Sequence, residues 1–260
     1  MKYGIVHIPV TDLLRKPEFL SERMTQAMFG TPLRVTSSRN NYCRITLPEG
    51  YRGWILNTHF EQVTESLFHK FTNARNRFFI KPGLFELKIQ KRQVMPYQLF
   101  FGTELIVSQR KNQTAFLLPN GNWMPIAKIN LKKNDGKPDK AGAIIRTAGR
   151  FLGVPYLWGG ITPFGYDCSG LVQMVYRYHG IELPRDSSAQ MKVGKKIARD
   201  NILIGDLLYF KGHVAVSLGG DEILHASNTR GMTLIESLSE SSTNYREDLD
   251  KGFLFGRRVI

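Results

Sequence analysis

From Met1 to about Leu131 the apolar residues come in short alternating runs bounded by Gly, Pro and Asn, the period of two that marks half-buried strands. Only the stretch around Glu22 to Met28 shows a spacing that predicts a helix. This half reads as all-β. Two blocks within it look alike. Phe29-Gly30-Thr31-Pro32-Leu33-Arg34-Val35 leads on to Leu47-Pro48-Glu49-Gly50-Tyr51-Arg52-Gly53-Trp54-Ile55, and Phe101-Gly102-Thr103-Glu104-Leu105-Ile106-Val107 leads on to Leu118-Pro119-Asn120-Gly121-Asn122-Trp123-Met124-Pro125-Ile126. Self-similarity at an offset of about 71 residues predicts a duplicated small β-barrel. From Lys132 to Lys140 no residue is apolar, which predicts a surface junction.

Beyond the junction the period changes. Ile144, Ile145, Ala148, Phe151 and Leu152 recur at helical spacing, with Gly153 and Pro155 as a stop. A second helix is predicted from Cys168, with Leu171, Val172, Val175 and Tyr176 as its apolar stripe and Gly180 at its end. Strands follow at 207–210, 213–218, 222–226, 232–235 and 253–259, separated by Gly-containing turns. Helices followed by an antiparallel sheet give an α+β domain.

A length of 260 residues implies more than one domain. Hydrophobic residues at 42% and charged residues at 22% are ordinary globular usage, and no apolar run approaches the roughly 20 residues that span a bilayer. The opening Met1-Lys2-Tyr3-Gly4 leads into Pro9, Asp12 and Arg15 without the apolar stretch of a signal peptide. The expected location is cytoplasmic, or periplasmic or secreted if a leader has been removed. A net charge of +14 favours anionic partners. The cations are dispersed, with short clusters such as Lys132-Lys133 and Lys195-Lys196 and no basic helix interleaved with aromatics, which argues against nucleic acid; an anionic cell-wall polymer fits the same charge. The chain is expected to be a monomer.

Two cysteines cannot form a disulfide framework. Cys43 sits in an alternating run and reads as a small buried residue. Cys168 stands between a Gly- and Pro-rich loop and a helix start, where unpaired N–H groups and the helix dipole are expected to lower its pKa and to stabilise an oxyanion. A cysteine nucleophile needs a nearby base, which needs a partner to fix its tautomer. His213 opens one predicted strand and His225 lies in the next. A three-residue loop, Gly219-Gly220-Asp221, places Leu218 opposite Glu222 and both histidines on one face, roughly 7 Å apart at Cβ. A two-residue loop places them on opposite faces. His7, His59, His69 and His179 have no comparable setting. One Cys and two His fall short of a zinc site, so no metal or other cofactor is expected.

Five motifs then point to a family: Pro155-Tyr156-Leu157-Trp158-Gly159-Gly160, Asp167-Cys168-Ser169-Gly170-Leu171-Val172, Leu183-Pro184-Arg185-Asp186-Ser187-Ser188-Ala189-Gln190, Gly205-Asp206-Leu207-Leu208-Tyr209-Phe210 and His213-Val214-Ala215-Val216. With them, residues 141–260 resemble the NlpC/P60 peptidases, papain-like cysteine hydrolases that cleave bacterial cell-wall peptides. The resemblance implies Cys168 as nucleophile, His213 as general base and then acid, and His225 as third polar residue. The two β blocks resemble bacterial SH3 domains, although Gly121-Asn122-Trp123 departs from their Gly-Trp pair. The expected architecture is two small all-β SH3-like barrels, 1–65 and 66–131, a linker at 132–140 and an α+β papain-like domain at 141–260.

That arrangement is similar to the γ-D-glutamyl-L-diamino acid endopeptidases of dipeptidyl-peptidase VI type, which cut murein peptides bearing a free N-terminal L-Ala before meso-diaminopimelate or Lys. Such selectivity needs an acid for the ammonium group and donors for the D-Glu α-carboxylate. By motif, Asp167 and Asp186 suit the amine, Ser169, Ser187 and Arg185 the carboxylate, and Tyr156 and Trp158 the cleft walls. If the first SH3-like domain closes the cleft, Glu22 and Tyr51 are further contacts. Two rivals stand beside this reading. One is a wall-binding scaffold with an inactive peptidase domain, and the other a thiol hydrolase of lipid amides or esters.

Overall fold

The computed structural model describes residues 2–82, 84–86, 98–110, 113–125 and 131–260. The chain forms two compact units, Met1–Asp135 and Gly136–Ile260.

The first unit is sheet-rich. Strands β1 (Lys2–Val6), β2 (Val10–Leu14), β3 (Arg23–Met28), β4 (Pro32–Arg39), β5 (Tyr42–Thr46), β6 (Arg52–Leu56) and β7 (Phe60–Val63) form one antiparallel sheet in the order β3-β2-β6-β5-β4-β1-β7. Val6, Leu13, Ala27, Leu33, Cys43, Ile45, Leu47 and Ile55 fill its core. The helix expected around Glu22 to Met28 is instead β3, because Val10–Leu14 offers a full antiparallel partner that pairs Val10 with Met28 and Leu13 with Thr25. Cys43 is buried, with Ser38 Oγ 3.4 Å from its sulfur.

Helix α1 (Glu65–Thr72), which the sequence reading did not include, is capped by Thr64 accepting from Leu67 N–H, and it buries Phe68 and Phe71. Then come β8 (Arg77–Ile80), β9 (Leu84–Glu86), β10 (Gln98–Phe100), β11 (Glu104–Arg110), β12 (Gln113–Leu117), β13 (Trp123–Pro125) and β14 (Leu131–Lys133). Five of them form a sheet ordered β13-β12-β11-β8-β14, while β9 and β10 pair separately. Lys132 and Lys133, read as junction, belong to β14 and lie opposite Phe79 and Phe78.

The two similar sequence blocks share glycine conformations at their turns. Gly30 and Gly102 have φ of +80° and +85°, and Gly50 and Gly121 have +87° and +86°, conformations that glycine alone adopts easily. Gly30 N–H donates to Val6 and Gly102 N–H to Ile80, and Leu47 and Leu118 N–H close matching turns on Tyr51 and Asn122. The two blocks are also interlocked, since Phe29 of the first packs with Ile80, Leu99, Leu105 and Phe116. Ile126, at the end of the second block, lies outside the described residues.

The second unit begins with α2 (Ala141–Ala148), continued by a 3₁₀ turn that carries Phe151 into the core. The short pair β15 (Ile161–Thr162) and β16 (Gly165–Tyr166) leads into α3 (Cys168–Tyr178), whose Leu171, Val172, Val175 and Tyr176 are all buried. Gly180, at φ +78°, ends it. After α4 (Ser187–Gln190), β17 (Lys195–Ile197), β18 (Leu207–Phe210), β19 (His213–Gly219), β20 (Glu222–Ser227), β21 (Met232–Ser237), α5 (Glu247–Lys251) and β22 (Phe253–Arg258) complete the unit. Its sheet is ordered β17-β22-β18-β19-β20-β21 and antiparallel throughout, and α3 packs on β19 and β20. Among the described residues, no helix is long and apolar enough to cross a membrane.

Candidate active site

Cys168 is the first residue of α3, and Asp167 before it is the N-cap. Asp167 has extended φ and ψ, and its Oδ1 accepts the Gly170 N–H at 2.6 Å. Its Oδ2 accepts Gly159 N–H at 2.9 Å, which fastens the preceding loop to the helix start. Gly170 has to be glycine, because a Cβ there would collide with the Gly160 carbonyl. Arg185 completes the network. It spans Asp167 with Nη2–Oδ2 at 2.5 Å and Nη1–Oδ1 at 3.1 Å, and it donates to Ser169 Oγ at 2.9 Å. All three residues are buried.

The Cys168 thiol is buried, with the backbone N–H groups of Val214 and Ser169 favouring its ionised form. The Val214 contact sets it beside the residue that follows His213. Burial and the negative charge of Asp167 outweigh those donors, and the thiol is pushed up to about 11. The lowered pKa expected from the helix start is therefore corrected: desolvation of a thiolate here exceeds what the helix end returns.

A tight turn at Lys211-Gly212 pairs Phe210 with His213 and so starts β19 at the histidine. The β19–β20 connection combines features of both loops considered from sequence. Gly219 pairs with Glu222 across a two-residue turn, and a bulge at Leu218 then restores the pairing of Ser217 with Ile223 and Val216 with Leu224. Ser217 Oγ accepts Gly219 N–H within the bulge. The outcome is that both histidines share a face, with His213 Nε2 2.7 Å from His225 Nδ1 and the rings nearly perpendicular.

Beyond His225 stands a residue that the sequence reading missed. His225 Nε2 is 2.9 Å from Glu236 Oε2 on β21, and that same oxygen accepts from Arg246 Nη1 at 2.5 Å, while Oε1 accepts from Arg230 Nε at 2.9 Å. His225 and Glu236 are 1% and 2% exposed, which puts the chain out of reach of bulk water. Burial alone would raise Glu236, but the His225 and Arg230 hydrogen bonds and the Arg246 charge hold it at about 2. Burial, then the neighbouring His225 and Arg246, lower His213 to about 3, so it is a neutral imidazole at neutral pH. A thiol, an unprotonated imidazole and N–H groups at a helix start are the parts that acyl transfer through a thioester requires.

The remaining sequence candidates divide. Tyr156 is half-buried, and burial and the charges of Cys168 and Asp167 raise its hydroxyl, which marks it as a neighbour of the thiol. Trp158 is 60% exposed, where core packing had been the alternative. Asp167, Arg185 and Ser169 are engaged with one another. Asp186 is exposed, and although it stands at the N-cap of α4 its side chain makes no cap bond; Ser187 follows it half-buried. In the first unit, Glu22 Oε2 accepts from Arg15 Nε at 2.5 Å, and Tyr51 packs against the core around Ile45. Among the described residues, no group of three or more His, Cys, Asp or Glu is placed to hold a metal ion.

Comparison with known proteins decides the family of this site. Residues 153–249 match the model of the NlpC/P60 family. The second unit carries an NlpC/P60 domain. Residues 13–60 match the bacterial dipeptidyl-peptidase SH3 domain, so the chain is an SH3-like, sheet-rich region followed by the NlpC/P60 domain. Two relatives are γ-D-glutamyl-L-lysine dipeptidyl-peptidases. The Bacillus cereus protein is 28% identical over 256 residues, with 86% of this chain and 72% of that one covered, and the Bacillus subtilis protein is 29% identical over 248 residues, with 86% and 78% covered. Dipeptidyl-peptidase 6 of Lysinibacillus sphaericus is 26% identical, covering 95% of both chains. The fold is shared with an NlpC/P60 family protein from Bacillus cereus, whose crystal structure superposes with a TM-score of 0.81 at 23% identity, covering 99% of each chain. The NlpC/P60 domain thus contains the loop, helix and three strands that hold Cys168, His213, His225 and Glu236.

Proposed function

We propose that this chain is a cysteine endopeptidase that hydrolyses the γ-D-glutamyl-L-diamino acid bond, with meso-diaminopimelate or Lys, in murein peptides bearing a free N-terminal L-Ala, within cell-wall turnover or recycling. The observation that carries the chemistry is the 2.7 Å contact between His213 and His225 on the strand that meets the Cys168 helix. The two Bacillus relatives support the choice of bond.

In this reading His213 takes the thiol proton as Cys168 Sγ attacks the γ-carbonyl carbon. The C–N bond breaks as His213 returns that proton to the leaving amine. Water, deprotonated by His213, then attacks the thioester, and the proton goes back to sulfur as the Sγ–C bond breaks. Backbone N–H groups at the α3 start stabilise the developing oxyanion.

For recognition, Asp167 and the exposed Asp186 are the acids for the amine, with Ser169, Ser187 and Arg185 toward the α-carboxylate and Tyr156 and Trp158 as walls. The matching Gly30/Gly102 and Gly50/Gly121 turns support two SH3-like modules, at 1–65 and from 66 through the end of β14 at Lys133, with the linker expected at 132–140 shortened to the residues after β14. The test is incubation with L-Ala-γ-D-Glu-meso-diaminopimelate and with its N-acetylated form, followed by detection of free diaminopimelate. The free-amine peptide is expected to be cleaved far faster. Cleavage of neither defeats the substrate assignment, and equal cleavage defeats the amine anchor.

A further inference from the structure

We propose that Glu236 is a positioning residue that fixes the tautomers of both histidines. The inference rests on the reading of Cys168 and His213 as the reacting pair, and it adds a residue to it.

The argument is one of donors and acceptors. An ionised carboxylate only accepts hydrogen bonds. Two guanidiniums donate to Glu236, from Arg230 to Oε1 and from Arg246 to Oε2, so it stays ionised although buried. His225 Nε2, 2.9 Å from Oε2, must therefore carry a proton. In a neutral imidazole the other nitrogen is then a bare acceptor. That nitrogen, Nδ1, faces His213 Nε2 at 2.7 Å, so His213 Nε2 must carry the proton and its Nδ1 must be bare. The chain crosses three adjacent strands diagonally, one residue on each of β19, β20 and β21, and its inner members, His225 and Glu236, are buried.

The two arginines have a second consequence. Arg230 and Arg246 offset the carboxylate charge on both oxygens, and Asp248, which takes Arg246 Nε at 2.8 Å, holds that arginine in place. Glu236 is thereby fixed as a hydrogen-bond acceptor at the inner end of the relay.

The test uses the full chain. Nitrogen-15 NMR of the histidine rings at neutral pH is expected to show, for both His213 and His225, a protonated Nε2 and a bare Nδ1. Glu236→Gln, whose amide can also donate, is expected to lower kcat on L-Ala-γ-D-Glu-L-Lys by about 100-fold with KM changed less than about threefold, and Glu236→Asp to recover part of it. A protonated Nδ1 on His225 in the unaltered protein, or unchanged kcat in Glu236→Gln, overturns the inference. If the unaltered protein leaves the tripeptide intact, the substrate reading fails while the ring spectrum still decides the tautomers. Should Glu236→Gln fail to fold, the same spectrum and the Glu236→Asp variant decide.

Discussion

At the residue scale, burial disfavours the charged form of both members of the proposed reacting pair, the Cys168 thiolate and the His213 imidazolium. Burial lifts Cys168 to about 11 and lowers His213 to about 3, so proton transfer accompanies attack instead of preceding it. Iodoacetamide is therefore expected to alkylate Cys168 at a rate that keeps rising well above the ordinary thiol pKa of about 8.5. A plateau near neutral pH would contradict this. The same burial links stability to acid. An unfolded histidine gains its proton as pH falls through about 6.5, whereas folded His213 resists to about 3, so the stability held above the higher value is lost as pH falls toward the lower one. Glu236, depressed to about 2, adds its own loss only below its ordinary value of 4.5. Above about pH 4.5 the slope therefore belongs to histidines that burial lowers, His213 and the half-buried His59 of the first unit. His213→Gln should flatten the urea-unfolding free energy between about pH 6.5 and 4.5 relative to the unaltered chain.

At the element scale, the α3 start is held by one carboxylate that caps the helix, ties the Gly159 loop and pairs with Arg185. Asp167→Ala removes the cap and takes from buried Arg185 its carboxylate, and it should cost about 3–5 kcal/mol in urea unfolding. Adding Arg185→Met should restore part of that loss, since the buried charge is then gone. The sequence made these elements legible wherever periodicity was strong. The α3 stripe and the strands from Leu207 onward lie where the apolar pattern placed them, and the motif around Cys168 identified the helix start. What escaped has physical reasons. Arg23–Met28 has no local rule against a helix, and a strand partner distant in sequence decided it. The β21 strand, expected over Met232 to Ile235, runs to Ser237 with Glu236 inside. The signal for that residue was its two arginines, but Arg230 and Arg246 come from separate turns that only the folded chain brings to one carboxylate. The histidine face was legible in part, since the period of two gave both alternatives and a bulge at Leu218 chose between them.

At the scale of the whole molecule, each unit has its own core, and the change from short alternating runs to helical spacing was visible without coordinates. The three tryptophans are divided between the units. Trp54 and Trp123 lie half-buried in the SH3-like region, the latter beneath the cations of Lys70 and Arg110. Trp158 stands alone among them in the NlpC/P60 domain and is the most exposed. An indole in water emits at longer wavelength than one against an apolar or peptide surface, so the domain carries its own optical reporter. In a Cys168→Ala protein, which can hold substrate without cleaving it, titration with L-Ala-γ-D-Glu-L-Lys should shift the emission to shorter wavelength, and Trp158→Phe should abolish the shift. The exposed ring then becomes a label-free gauge of binding, separate from turnover.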